Sequence, residues 1–368
     1  MPEVFYYIAL SMIEGIGSVT AKNLISYCGG VQEVFAKNKN QLLKIAGIGN
    51  HTASKIANHS VFEKAESELA FLEKYGIKAI PYTHKDFPKR LQHCHDAPLL
   101  LFQKGDANLN QTKILSIVGT RKATHYGKLF VEQLLSEVKG QDILIVSGMA
   151  LGIDGQAHKM AIENNLPTVG VLGHPLNTMY PSSHKNLAVD VLKGNGALLS
   201  EYHSQTKMVP ANFPKRNRII AGMADAVLVV ESDIKGGSII TANIANSYNR
   251  DVFALPGRYK DRYSSGCNFL IKTHKAHIIE SAKDLLLAMG WQNEKNSVKP
   301  KRIQKELMID LSSDEKKIIS ILQQVDNLQT SQMLVQTKMT GSKLATALLE
   351  LELKGIIQSL PGNSYTLS

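Results

Sequence analysis

Residues 211–222 read Ala-Asn-Phe-Pro-Lys-Arg-Asn-Arg-Ile-Ile-Ala-Gly, which sets Lys215, Arg216 and Arg218 beside one aromatic ring, Phe213, and one amide, Asn217. A guanidinium fork grips phosphate oxygens in pairs, and an aromatic face stacks on a base of any identity. The combination suits a phosphate-rich ligand with exposed bases; a solvated helix face beside a stray ring is the plainer alternative. Three glycine-bearing loops add weight to the first reading. They are Gly119-Thr120-Arg121, Ser147-Gly148-Met149-Ala150-Leu151-Gly152-Ile153-Asp154, and Gly236-Gly237-Ser238, which opens a helix expected over 239–249. Each offers free main-chain amides at a helix start, the ordinary geometry for an anion. Asp154 and His158, four residues apart, could share a helix face as an acid/base pair or as two metal ligands. No third ligand or nucleophile stands near them in the sequence. Helix-cap preference favours a capping Asp154 and a His158 hydrogen-bonded between sheet and helix.

The elements that must position these residues follow from apolar periodicity. From Lys113 onward, short β-branched runs alternate with helix-length segments, giving strands at 114–119, 142–148, 168–173, 197–201, 226–231, 252–256 and 276–280. That alternation predicts a doubly wound, mostly parallel α/β sheet, which binds ligands at the carboxyl ends of its strands. Residues 79–112 hold no clear period and read as a lead-in or an edge strand.

Both ends of the chain look different. Ile13-Glu-Gly15-Ile16-Gly17-Ser-Val-Thr20-Ala21 repeats as Ile45-Ala-Gly47-Ile48-Gly49-Asn-His-Thr52-Ala53, with Leu24 and Ile56 three residues on. This resembles a tandem helix-hairpin-helix, or SAM-like, unit. Its Gly-Ile-Gly turn directs amides outward in a shape that can hold a phosphate, although so little net charge favours a structural role. At the other end, helices at 313–323, 330–337 and 341–353 precede Gly355 and a hairpin over 356–367 turned by Pro361-Gly362-Asn363, a winged-helix outline. Its third helix carries Lys343 and Lys354 against Glu350 and Glu352, so protein contact is as good a role for it as DNA reading. The expected divisions are therefore 1–78, 79–290, a Lys-rich linker at 291–308, and 309–368.

Composition narrows the function class. The 368 residues carry a formal net charge of +10, with 43% hydrophobic and 20% charged residues, as in a soluble globular protein of two or three domains. Of that charge, +7 falls in residues 79–290 and +3 in 291–308, which favours an anionic polymer there. The amino terminus lacks the pattern of a signal peptide, and no apolar run is long enough to span a bilayer. Cys28, Cys94 and Cys267 stand far apart, without the spacing of a zinc site or a disulfide framework, which points to a reducing cytoplasm, no metal and no cofactor.

Several blocks together resemble the DprA/Smf family. They are Ile117-Val-Gly119-Thr120-Arg121 with Tyr126-Gly127, the Ser147–Asp154 loop with Ala157-His158, Tyr180-Pro181, and Phe213-Pro-Lys-Arg216-Asn217-Arg218-Ile219-Ile220. Val229-Val230-Glu231 with Gly237-Ser238-Ile-Ile-Thr241-Ala242 and Arg250-Asp-Val-Phe253-Ala-Leu-Pro256-Gly257 complete the set. They recur in order across residues 117–257, and the SAM-like and winged-helix flanks match as well. The resemblance implies a non-enzymatic, cytoplasmic single-stranded DNA-binding protein that protects incoming strands and loads RecA during natural transformation. It also implies a homodimer built through the Rossmann-like domain. Carried over, it puts Arg121, Lys215, Arg216 and Arg218 on phosphates and Phe213 on a base, with Arg250 adding a contact. Gly119, Thr120, Ser147, Gly148, Asn217, Gly237 and Ser238 complete the expected DNA site. Two positions depart from the family pattern: its Gly-x-Asp before Tyr-Pro is Leu176-Asn177-Thr178, and its Gly-Ala before the last strand is Lys275-Ala276. The competing reading is a phosphoribohydrolase of the lysine-decarboxylase-like group. Its Pro-Gly-Gly-x-Gly-Thr-x-x-Glu signature would fall at Lys235-Gly-Gly-Ser238-Ile-Ile-Thr241-Ala242, which has no glutamate.

Overall fold

The computed structural model describes residues 1–292, 311–323, 328–360 and 364–367. The chain forms two compact units, Met1–Asn293 and Glu294–Ser368.

The first unit begins with six helices: α1 (Glu3–Met12), α2 (Ser18–Cys28), α3 (Val31–Ala36), α4 (Lys39–Leu42), α5 (Asn50–Ala57) and α6 (Phe62–Tyr75). The internal repeat corresponds to two equivalent turns. Gly15 and Gly47 take positive φ (87° and 82°), a conformation that costs glycine little. Gly17 and Gly49 then serve as the N-caps of α2 and α5. Tyr7, Leu24, Leu42 and Ile56 fill the core beneath these helices, and that core continues into Ile77, Leu99, Leu100 and Phe102.

Ile77 belongs to β1 (Ile77–Pro81), and Leu100 and Phe102 belong to β2 (Leu100–Gly105), which Leu99 directly precedes; α7 (Lys89–Gln92) lies between the two strands. The expected division at residue 78 thus falls inside a strand, and 79–112, expected to hold one edge strand at most, supplies two antiparallel ones. Seven further strands follow the predicted positions: β3 (Lys113–Val118), β4 (Ile143–Ser147), β5 (Thr168–Leu172), β6 (Ala197–Ser200), β7 (Ala226–Val229), β8 (Asp251–Ala254) and β9 (His277–Ile278). They alternate with α8 (His125–Glu137), α9 (Ile153–Glu163), α10 (Lys185–Lys193), α11 (Asn212–Met223), α12 (Gly237–Ser247), α13 (Ser265–Lys272) and α14 (Ala282–Ala288).

The sheet order is β1-β2-β6-β5-β4-β3-β7-β8-β9. All pairings from β6 to β9 are parallel, whereas β1–β2 and β2–β6 are antiparallel. Strand residues alternate between two cores. Ile114, Val118, Leu144 and Val146 face one that includes α11 and α12, while Leu115, Ile117, Ile143 and Ile145 face one that includes α8 and α9. A sheet covered on both faces can be apolar on every residue, which is why the strands read as unbroken runs. The order reverses between β3 and β7, so the loops after these two strands part there and leave a crevice.

The second unit contains α15 (Ser313–Leu322), β10 (Leu328–Gln329), α16 (Thr330–Thr337), α17 (Gly341–Leu353), β11 (Ile357–Leu360) and β12 (Ser364–Leu367), with sheet order β10-β12-β11. This is a winged helix around Ile318, Leu344, Leu348 and Leu351. Lys354, expected on a reading surface, is paired with the buried Glu315 of α15. The predicted linker from residue 293 onward and the Pro361-Gly362-Asn363 turn lie outside the described residues. No helix among the described residues is long and apolar enough to cross a membrane.

One buried carboxylate ties the helical module to the sheet. Glu68 of α6 is 1% exposed and accepts from both the main-chain N–H (2.8 Å) and the hydroxyl of Ser204, in the loop after β6. Replacing it with alanine leaves these donors without their charged acceptor, at a cost of about 2–4 kcal/mol. Glu68→Ala is therefore expected to lower Tm by several degrees, with Glu68→Gln recovering part of the loss. A Tm for Glu68→Ala equal to that of the wild type would remove this tie from the account.

Candidate nucleic-acid interface

The crevice between the β3 and β7 loops is a cleft of about 500 Å³. Gly119, Thr120, Arg121 and Lys122 wall one side, and Ser232, Asp233, Lys235 and the start of α12 wall the other. Main-chain bonds fix the first wall: Thr120 N–H donates to Glu231 O (2.7 Å), and Thr120 O accepts from Ile153 N–H (3.2 Å). Gly152 makes that approach possible, since a Cβ there would lie 2.2 Å from Thr120 O. Glu231, 2% exposed, holds the turn into α8 by accepting from Thr124 N–H and the Thr124 hydroxyl. Arg121 and Lys122 are left exposed, with no ion pair or side-chain hydrogen bond among the described residues.

On the facing wall no side chain caps α12, so the first-turn amides of Gly237 and Ser238 remain for an anion. The Ser238 hydroxyl donates to Ser232 Oγ (2.7 Å). Arg262, from the loop after β8, reaches into the cleft and donates to Asp233 (2.6 Å) while remaining 76% exposed. Lys122, Lys235 and Arg262 were not among the expected residues. Lys122 adjoins Arg121, and Lys235 and Arg262 lie in loops at the carboxyl ends of β7 and β8. The general rule for parallel sheets would have reached both loops.

Phe213 overhangs the cleft from the start of α11. Its ring packs against Tyr180 (centroids 5.4 Å apart) and His174 (6.4 Å). Gly173 leaves room for it, because a Cβ there would come within 2.9 Å of the ring. His174 is 1% exposed, and burial pushes its pKa below the usual value. It accepts from Tyr180 N–H at Nε2 (3.2 Å), so the neutral ring donates from Nδ1 to Pro175 O (3.0 Å). Tyr180, 47% exposed and preceding a cis Pro181, is a second aromatic at the site. It appeared in the sequence only as part of a motif.

The structure divides the Lys/Arg cluster of α11 that the sequence presents as one. At about 100° per residue, Phe213, Pro214, Arg216, Asn217 and Ile220 turn toward the cleft, while Asn212, Lys215 and Arg218 line a different cavity. Arg218 is ion-paired with Glu201 there. Arg216, expected to grip phosphate, is 4% exposed and donates to the main-chain carbonyls of Gly148 (2.6 Å) and Val171. It forms the floor of the cleft and contributes charge from beneath. Ser147 is wholly buried and donates to Ile117 O (2.6 Å), so it braces β3 against β4 and has no surface for a ligand. Gly148 is needed for packing, since a Cβ would lie 2.6 Å from both Arg216 Nη2 and Asp154 Oδ2. Arg250 sits at the start of β8, at the amino edge of the sheet and away from the cleft, and donates to Arg90 O (2.7 Å) and Gly222 O.

Asp154 follows the first residue of α9, whose N-cap is Gly152, so it is not the expected cap. It lies 6% exposed at the cleft floor beside Arg216. Burial raises its pKa to about 6, against an opposing pull from Arg216 and main-chain donors. Burial likewise lowers the Arg216 pKa to about 10, which still leaves it charged at neutral pH. His158 is fully buried between helix and sheet, as cap preference suggested, with Nδ1 2.7 Å from the Thr168 hydroxyl. Its pKa falls to about 3, chiefly through burial. Thr168 donates onward to Ile145 O (3.0 Å), so His158 is the donor in that pair and is neutral. The two side chains share no hydrogen bond. Among the described residues no three His, Cys, Asp or Glu side chains gather as a metal site. At the two departures, Asn177 donates to Ser204 O (3.0 Å) and the Thr178 hydroxyl meets His174 Nδ1 (3.2 Å), while Lys275 reaches Asn243 (3.2 Å).

This geometry agrees with comparisons to known proteins. A family model described as DNA recombination-mediator protein A matches residues 78–290. A DprA winged helix domain matches 305–363, and a SAM-like helix-hairpin-helix tandem matches 7–59. Protein Smf of Synechocystis sp. is 30% identical over 99% of this chain and 98% of its own length. The X-ray structure of DprA from Streptococcus pneumoniae is similar with a TM-score of 0.64 and 30% identity, over 78% of this chain and 98% of that one. A Helicobacter pylori DprA structure, described for its single-stranded DNA binding mode, is similar with a TM-score of 0.52 and 27% identity, over 58% and 96%. The chain belongs to the DprA/Smf family.

Proposed function

We propose that this protein binds single-stranded DNA across the carboxyl edge of its sheet, without catalysis. The observation that carries the reading is one cleft with exposed Arg121, Lys122, Lys235 and Arg262, uncapped α12 amides and the overhanging Phe213–Tyr180 pair. Cations and amides hold phosphates, and the rings offer a face to bases that only a single strand exposes. The H. pylori relative's single-stranded DNA binding supports extending the reading to this chain. Family membership further supports a cytoplasmic homodimer, formed through the Rossmann-like unit, that shields incoming strands during transformation and hands them to RecA. The hydrolase reading gains no comparable support. The start of α12 lacks the signature glutamate, and His158, the buried imidazole nearest Asp154 in sequence, is turned into the sheet.

Three measurements test the binding site. Arg121→Ala is expected to weaken single-strand binding and to flatten the dependence of log K on log salt by roughly one unit. Phe213→Ala is expected to cost about 1–3 kcal/mol with that slope unchanged, since a ring releases no counterions. Arg250→Ala, at the far edge of the sheet, is expected to lower Tm and leave binding intact. Tighter binding to duplex than to single strands would reverse the assignment, and wild-type affinity for Phe213→Ala at an unchanged Tm would remove the stacking role.

Asp154 adds a pH dependence of definite sign. Below about pH 6 it is protonated, and the cleft loses its buried negative charge. A nearby phosphate stabilises that protonated form, so affinity is expected to rise from pH 7 to pH 5 by roughly tenfold. Asp154→Asn should bind tightly already at pH 7 and lose most of the pH dependence. Wild-type pH dependence in that variant would exclude Asp154 as the source.

A further inference from the structure

The far side of α11 faces a second cavity of about 490 Å³, closed opposite by the first Gly-Ile-Gly hairpin of the helical module. Four observations bear on what this cavity can hold. The eleven-residue α2 begins there at Gly17, with no side-chain cap and no acidic residue in its first turn. Its opening amides therefore lack the partners a capped helix supplies. Lys215 and Arg218 approach from α11, and Lys22 of α2 lies near enough to Arg218 for the two charges to oppose each other. The carboxylates near these cations are already engaged: Glu201 pairs with Arg218, and Asp96, close enough to act on Lys22, accepts from the Tyr248 hydroxyl; Glu14 lies at the exposed rim. Asn212 is 6% exposed and lines the cavity, and its side-chain amide makes no hydrogen bond among the described residues; Arg218 Nη1 is likewise buried there without a hydrogen-bond partner.

We propose that this cavity is a second phosphate subsite for the same strand. α11 separates the two sites, Phe213 turning to one and the adjacent Asn212 to the other. A strand leaving the sheet-edge cleft over the start of α11 would set a backbone phosphate among the α2 amides, Lys215 and Asn212. The internal repeat then has a use that its low net charge concealed, because the positive charge comes from the Rossmann-like side.

The inference rests on the sheet-edge reading, and the experiment separates the two. Gly17→Asp places a capping carboxylate at the α2 N-cap, where a Cβ meets nothing within 4 Å and φ is −80°. The variant should keep or raise Tm, because aspartate is a good N-cap, while repelling an anion. Lys215→Glu removes a cation from the other wall. Binding is measured with oligonucleotides of roughly 6 and roughly 20 nucleotides, bracketing common single-strand site sizes. Both variants are expected to bind the short strand as wild type does and the long strand roughly tenfold more weakly. Unchanged long-strand affinity in both variants would overturn the subsite. If inorganic phosphate raises the wild-type Tm but not that of Gly17→Asp, with long-strand binding unchanged, the cavity takes free phosphate and the strand path is wrong. Failure of the wild type to bind the short strand would instead overturn the sheet-edge reading.

Discussion

The carboxyl edge of the sheet is organised around one buried guanidinium. Arg216 crosses from α11 beneath the cleft and donates to carbonyls at the ends of β4 and β5. Gly148 leaves space for it, and Asp154 supplies the nearest opposing charge. Leaving such a cation buried without partners would cost several kcal/mol, so these neighbours are held in place together. Their arrangement sets the position of α11 and therefore of Phe213 above the cleft. Because Asp154 stays protonated until about pH 6, the net charge of that floor is not constant across the range in which proteins work.

The sheet was legible in the sequence because parallel strands covered on both faces leave continuous apolar runs; six of the seven predicted segments became such strands, and 276–280 became the short exposed edge strand β9. β1 and β2 were not legible. They lie at the antiparallel end of the sheet, where β1 has mixed exposure and Pro81 ends the strand, and where the apolar run Leu99-Leu100-Leu101-Phe102 covers only the first half of β2 before Gln103-Lys104. Their burial depends on the helical module above, a tertiary fact with no local signature.

The cleft was legible in part. Gly119, Thr120, Arg121, Asn217, Gly237, Ser238 and Phe213 do meet there, since strand-end loops and an i, i+4 helix spacing are local properties. Ser147 and Arg250 were misplaced for different reasons. A serine at the end of a buried strand reads the same whether its hydroxyl faces a ligand or, as here, the carbonyl of the neighbouring strand. An arginine just before a parallel strand belongs to the sheet's amino edge, and strand polarity alone could have excluded Arg250 from the strand-end site. Arg216 shows the limit of composition: three cations within four residues cannot all face one way on a helix, and the apolar Ile219 and Ile220 do not reveal which cation turns inward.

That helical constraint also gives α11 its part in the architecture. A phosphate-binding stretch laid on a loop could present every cation to one ligand; on a helix, residues three and four apart share a face and their neighbours do not. Phe213, Arg216 and Asn217 therefore serve the sheet edge, while Asn212, Lys215 and Arg218 serve the side on which the helical module sits. The Glu68–Ser204 contact fixes that module to the loop after β6, the same segment that supplies Glu201 to the second cavity. The distance between the two faces of α11 is consequently set by a rigid helix and a buried carboxylate, so any strand touching both faces must follow a path whose length the fold itself determines.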